Sequence, residues 1–235
     1  MYSNNYPLSR KLAAWGVHLF TSCGLITGFL SILAISQGHF REAMLWLAVS
    51  QFIDGFDGTL ARWVKVREVL PFMDGKTIDN VVDFANYALI PAYFLYASGL
   101  MASPYNELAV AVILLVSAIY YGKDGMISED YYFIGFPVLW NLVAFYLFFV
   151  LDLPSLANFI LIALLGFLHF VPLKFAYPSR NKSLQWLSLP LASGWLVLAA
   201  LILWSYPQTN PFLTAGMLLI LGYFGVLAVK DSFRF

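Results

Sequence analysis

Four aspartates, Asp54, Asp57, Asp79 and Asp83, crowd the stretch DGFDGTLARWVKVREVLPFMDGKTIDNVVDF of a chain that otherwise avoids charge. Asp54 and Asp57 are three residues apart and Asp79 and Asp83 four apart, so each pair shares one face of a helix. Gly58, Ala61 and Arg62 continue the first of those faces. Neighbouring carboxylates repel, and an unpaired acid near a bilayer centre costs roughly 2.5–3.5 kcal/mol on insertion scales. Divalent cations offset such a cost directly. Hard, anionic, all-oxygen ligands suit Mg²⁺ or Mn²⁺, and Mg²⁺ commonly completes its shell with substrate phosphates. Small residues at Gly58, Ala61 and Gly75 leave room beside the acids, and Arg62 can hold a phosphate oxygen. The pattern predicts a metal-bridged diphosphate. A charge cluster that merely snorkels to the interface would need neither the small residues nor two facing helices.

The elements that must position these groups are membrane spans. Of the 235 residues 61% are hydrophobic and 11% charged, against about a quarter charged in soluble domains. Eight apolar segments follow one another, roughly 12–35, 42–63, 78–100, 108–121, 132–151, 154–172, 184–204 and 211–229. Roughly 20 apolar residues cross the hydrocarbon core, so the expected class is all-α, a polytopic membrane protein of eight helices forming a single domain over 1–235. The first run lacks a small-residue cleavage site and reads as a retained helix. Zero formal net charge gives no pull toward nucleic acid, and the lone Cys23 excludes an intramolecular disulfide.

Basic residues set the orientation. Arg10, Lys11, Arg62, Lys65, Arg67, Lys76, Lys123, Lys174, Arg180, Lys182, Lys230 and Arg234 fall on one side of the eight-helix model, and Arg41 alone on the other. Both termini are therefore expected in the cytoplasm. The second helix then carries Asp54 and Asp57 toward the cytoplasmic face, where the third begins with Asp79 and Asp83.

These residues resemble the signature of the CDP-alcohol phosphotransferase family, D-x-x-D-G-x-x-A-R…G-x-x-x-D-x-x-x-D. Asp54, Asp57, Gly58, Ala61, Arg62, Gly75, Asp79 and Asp83 occupy every fixed position. The twelve residues WVKVREVLPFMD between Arg62 and Gly75 exceed the family's usual spacing. That longer gap, the eight helices and the stretch EDYYFIGFPVLWN resemble the bacterial phosphatidylcholine synthase branch. The resemblance implies condensation of CDP-diacylglycerol with choline to give phosphatidylcholine and CMP, in the bacterial inner membrane with a cytoplasmic site, by a homodimer. It implies metal ligation by Asp54, Asp57 and Asp79, with Asp83 as the base and a further contact to a second Mn²⁺ or Mg²⁺. Gly58, Ala61, Arg62 and Gly75 would line the CDP pocket. Metals would spread the charge that develops on departing CMP.

Choline carries a quaternary ammonium, which aromatic faces recognise. Tyr132, Phe136 and Trp140 recur at every fourth position of the expected fifth helix, and Glu129 and Asp130 precede them as counter-charges. Tyr120 and Tyr121 end the fourth helix on the same side. Interfacial anchoring is the competing role for such aromatics. Asn86 and Asn141 suit helix–helix hydrogen bonds. His18, Thr21 and Ser22 face the cytoplasmic half of the first helix, where nucleotide contact and packing both remain open. The Lys174, Arg180, Lys182 run suits anionic headgroups or topology determination. Other acceptors (serine, glycerol phosphate or inositol phosphate) are the nearest alternatives, although a phosphorylated acceptor would call for more basic residues than this chain offers. A cation transporter would put its acids at the bilayer midplane within repeated halves, and no second DGxxAR occurs.

Overall fold

The computed structural model describes residues 6–123, 125–176 and 185–233. Helix α1 (Leu8–Ser36) turns at Gly38, whose φ of +74° favours a residue without Cβ, into α2 (Phe40–Val64). Small and hydroxylated residues at helical spacing, Gly24, Thr27, Gly28 and Ser31, form the buried stripe of α1. They allow close approach of its neighbours, and Ser31 Oγ donates to the Ala43 carbonyl of α2 at 2.9 Å.

Lys65, in the left-handed region at φ +58°, ends α2 and leads directly into a single turn, α3 (Val66–Val69). Val66, Val69 and Leu70 bury against Ala14 and Val17 of α1, so the α2–α4 connection is packed rather than loose. Asp74 then caps α4 (Gly75–Phe84), accepting from the Lys76 amide at 3.1 Å and the Thr77 hydroxyl at 2.6 Å. The rod continues through a wider π turn over Ala85–Leu89 into α5 (Ile90–Ala97). Pro91 lacks the amide that would bond four residues back, and the wider turn takes up that lost bond.

Helices α6 (Tyr105–Tyr121), α7 (Trp140–Phe145, extended by a π turn over Tyr146–Val150), α8 (Ser155–Leu168), α9 (Gln185–Ser205) and α10 (Pro211–Ser232) complete the chain. Among the described residues this makes eight helical rods besides α3, in register with the eight apolar segments. The fifth segment needs correction. Tyr132–Ile134 is a strand, β1, paired antiparallel with β2 (Lys174–Ala176), and the helix starts only at Trp140. Gly135 sits at φ +90° against the His169 carbonyl and Pro137 offers no donor, so helical continuation stops there.

Phe94, Trp140, Phe145, Leu147, Ile113 and Met217 are fully buried where α5, α6, α7 and α10 meet. Outward faces are equally apolar: Leu19, Ile26, Phe29, Phe52, Phe167, Phe212 and Val226 all stand exposed. Helices apolar on every side need a lipid solvent. Three of them, Leu8–Ser36, Trp186–Ser205 and Pro211–Ser232, are long and apolar enough to cross a membrane individually. The molecule is an α-helical membrane protein.

Candidate metal and nucleotide centre

The last turns of α2, the first turns of α4 and the middle of α1 converge on one spot. Asp54, Asp57 and Asp79 each bring a carboxylate oxygen within 4.8 Å of the others. Asp83 lies one turn further along α4 and abuts Asp54, carboxyl against carboxyl. Its Oδ1 is buried without a hydrogen-bond partner among the described residues. All four aspartates expected to act together are brought together.

Polar neighbours hold this arrangement. Tyr87, buried one turn beyond Asp83, donates its hydroxyl to Asp54 Oδ2 at 2.8 Å. Thr21 of α1 is placed to donate to Asp57, in competition with a 3.3 Å bond to the Val17 carbonyl. Asn86 fixes α4 against α1 through the carbonyls of Gly24 (3.1 Å) and Val82 (3.0 Å). Gly28 packs so closely that a Cβ there would stand 2.5 Å from Asn86 Oδ1. The chain therefore fixes the acids with a small-residue helix face and an asparagine clamp.

The donor set fits a divalent cation. Among the described residues no basic group forms an ion pair with any of the four acids. Leaving that negative charge uncompensated in a low-dielectric setting is unfavourable. Oxygen separations of this size suit one ion ligated at about 2.0–2.6 Å, with small side-chain adjustment. Arg62, on the exposed end of α2, donates to Thr59 Oγ1 at 3.0 Å, and among the described residues it forms no ion pair. Gly58 lies beneath it, where an added Cβ would meet Arg62 Nη1 at 3.4 Å, and Ala61 packs toward the α1–α3 cluster. Gly75, first residue of α4, faces the His18 ring, whose Cε1 would lie 3.1 Å from an added Cβ. Beside it the Thr77 hydroxyl holds the Asp74 carboxyl below the usual carboxylate range.

The family model for CDP-alcohol phosphatidyltransferase matches residues 17–224. The chain belongs to that family. Among curated proteins, a phosphatidylcholine synthase of Rhizobium meliloti is 38% identical over 88% of this chain and 86% of its own length. Its counterparts in Pseudomonas aeruginosa and Borreliella burgdorferi, also called phosphatidylcholine synthase, are 37% and 34% identical. They cover 96% and 94% of this chain respectively, and 94% of their own lengths. Members of this family generally depend on a divalent metal, and the Asp54, Asp57, Asp79 cluster is a group that could hold one.

The aromatic stripe expected on a fifth helix is not a helical face. Tyr132 lies on β1 and donates to the buried Asp231 of α10 at 2.9 Å, while Lys174 covers its ring at 5.2 Å. Trp140 is fully buried, donates to Ser117 Oγ at 2.9 Å and stacks on His169 with ring centroids 5.3 Å apart. Phe136 packs against His169 and Phe175, and Glu129 is exposed in the turn before β1. Asn86 and Asn141 do bond between helices, Asn141 donating to Gln51 of α2 at 3.3 Å. Lys174 pairs with Asp130 at 2.9 Å, and Arg180 and Lys182 lie outside the described residues.

Tyr87 is not among the residues that the sequence pattern singles out. Its signal was present, since it extends the Asp79, Asp83 ladder by another four residues, but a tyrosine in an apolar run reads as packing. Tyr121, expected only as an aromatic on the same side, has its hydroxyl within the field of Asp83, Asp54 and Asp79, and its ring meets Phe84 edge-on at 6.2 Å.

Proposed function

We propose that this chain is an integral-membrane phosphatidyltransferase that condenses CDP-diacylglycerol with choline, releasing CMP and phosphatidylcholine. All eight rods cross the inner membrane in this reading, with both termini and the carboxylate cluster at the cytoplasmic side, and the working form is a homodimer. The observation that carries it is the cluster itself: three carboxylates with oxygens within 4.8 Å, and a fourth, Asp83, whose buried Oδ1 has no hydrogen-bond partner among the described residues. Full occupancy of the family signature and the names of relatives similar along most of the chain support the substrates.

Asp54, Asp57 and Asp79 would hold the cation, with Asp83 completing a second site, and Mg²⁺ or Mn²⁺ fits the oxygen-only donor set. Such an ion supplies charge neutralisation to the diphosphate and to the departing phosphate. The chain's own residues do the remainder. Arg62 grips a diphosphate oxygen, while Gly58, Ala61 and Gly75 keep the space beside it open for the nucleotide. Asp83 accepts the hydroxyl proton of choline as the new bond forms between choline oxygen and the phosphatidyl phosphorus. The phosphorus–oxygen bond to CMP breaks, and CMP leaves with that electron pair. Phosphoryl transfer through a loose transition state demands little early deprotonation, so a carboxylate base suffices. Tyr87 keeps Asp54 oriented and shares its charge.

Choline's ammonium is only two carbons from the hydroxyl that faces Asp83. Its aromatic contact therefore belongs near that base, and the candidates are Tyr121, whose hydroxyl feels the Asp83 charge, and Phe84, whose ring meets Tyr121. Phe136, Trp140, Tyr132 and Glu129 then act through packing and surface contacts, and Phe136→Ala should leave the choline KM unchanged while Tyr121→Ala raises it. The reaction is tested with purified protein in nanodiscs, CDP-diacylglycerol and labelled choline. Labelled lipid and CMP should form with Mn²⁺ or Mg²⁺ and not after chelation. Product with serine in place of choline would refute the acceptor, and choline uptake without CMP would refute the transferase.

A further inference from the structure

The connection between α2 and α4 presents an outward face that the reaction does not use. Its inner side is satisfied, with Val66, Val69 and Leu70 buried against α1. Outward it shows Trp63, 81% exposed, and Phe72, 61% exposed, with Phe72 leaning on Trp15 at 6.4 Å between ring centroids. Large aromatics this exposed at the end of a membrane helix belong in a headgroup layer.

The same segment is basic. Lys65 and Arg67 lie on the connection, Lys76 in the first turn of α4, and Arg10 and Lys11 on the adjoining first turn of α1. Acidic groups there are already engaged: Glu68 takes Lys65 at 3.7 Å and the Tyr6 hydroxyl at 3.5 Å, and Asp74 is turned into the α4 cap. Among the described residues Arg67 has no ion-pair partner. A soluble protein partner would not explain aromatics at the level where two membrane helices end. Cations interleaved with exposed aromatics at that level complement an anionic leaflet.

We propose that α3 with its flanking residues is an interfacial foot that seats on anionic phospholipid headgroups, Trp63 and Phe72 entering the headgroup layer and Arg67 and Arg10 contacting phosphates. Seating presses α3 onto α1 and, through the Phe72–Trp15–His18 ring contacts, steadies His18 against Gly75 at the edge of the carboxylate centre. This rests on the membrane placement proposed above and not on the reaction.

Hydrogen exchange tests it without catalysis. The amides of Glu68, Val69, Leu70 and Met73 are bonded within the connection and report its opening. In nanodiscs containing phosphatidylglycerol they should exchange roughly fivefold or more slowly per cation engaged than in wholly zwitterionic nanodiscs. Arg10→Gln with Arg67→Gln should abolish that difference, and Phe72→Ser should raise exchange in both bilayers. Equal exchange of the unmodified protein in the two bilayers overturns the proposal, as does an undiminished lipid response in the double variant. Protection that appears only when two copies share a nanodisc also overturns it, by assigning the face to a second chain.

Discussion

Replacing Tyr87 by phenylalanine removes one oxygen atom and leaves the buried ring in place. The lost contact is the 2.8 Å bond to Asp54 Oδ2. A hydrogen bond to a charged group contributes about 1.5–3 kcal/mol, and about 1.4 kcal/mol corresponds to a factor of ten. Partners that orient a metal ligand cost roughly 10–100-fold in metal affinity when removed, which is the same range. Tyr87→Phe should therefore raise the Mn²⁺ or Mg²⁺ concentration for half-maximal activity roughly 10–100-fold, with kcat at saturating cation within a few-fold of the original. Titrating the cation while following labelled phosphatidylcholine, with thermal unfolding of the same preparations as control, separates this from misfolding. An unchanged cation requirement in a folded Tyr87→Phe protein would refute the idea that this hydroxyl supports a metal ligand.

Asp83→Asn should lower kcat by roughly 10²–10⁴-fold while CDP-diacylglycerol binding persists, measured by equilibrium binding of the liponucleotide beside turnover. Gly28→Ala drives a methyl group to 2.5 Å from Asn86 Oδ1 and 2.7 Å from Ile90 Cδ1, both in the packed interior. Thermal unfolding in detergent should show a loss of about 1–3 kcal/mol, the usual cost of overpacking. Asp74 titrates below the ordinary carboxylate range, chiefly because Thr77 donates to its ionised form. Its capping contribution is thus complete above the unfolded-state pKa and disappears as pH falls through the lowered folded value. Between those two values unfolding of Asp74→Ala should depend less on pH than that of the unmodified protein, and its α4 amides should exchange faster at neutral pH.

Side-chain type and spacing along the chain determined the acid cluster and the rods. Two pairs of aspartates at helical spacing, with glycine, alanine and arginine between them, already marked out the carboxylates that the fold gathers. Eight apolar runs specified the helices, because both features are local and repeat with the helical period. Tertiary structure decided what depends on distant partners. Tyr87 became a site residue only when α4 packed beside α2, and Asn86 a clamp only when Gly24 and Gly28 admitted it to α1. Local periodicity also misled once: Tyr132, Phe136 and Trp140 keep helical spacing, yet Gly135 and Pro137 break the helix and β2 captures Tyr132 as a strand. Spacing along a chain records which residues can share a face, whereas only packing decides what that face meets.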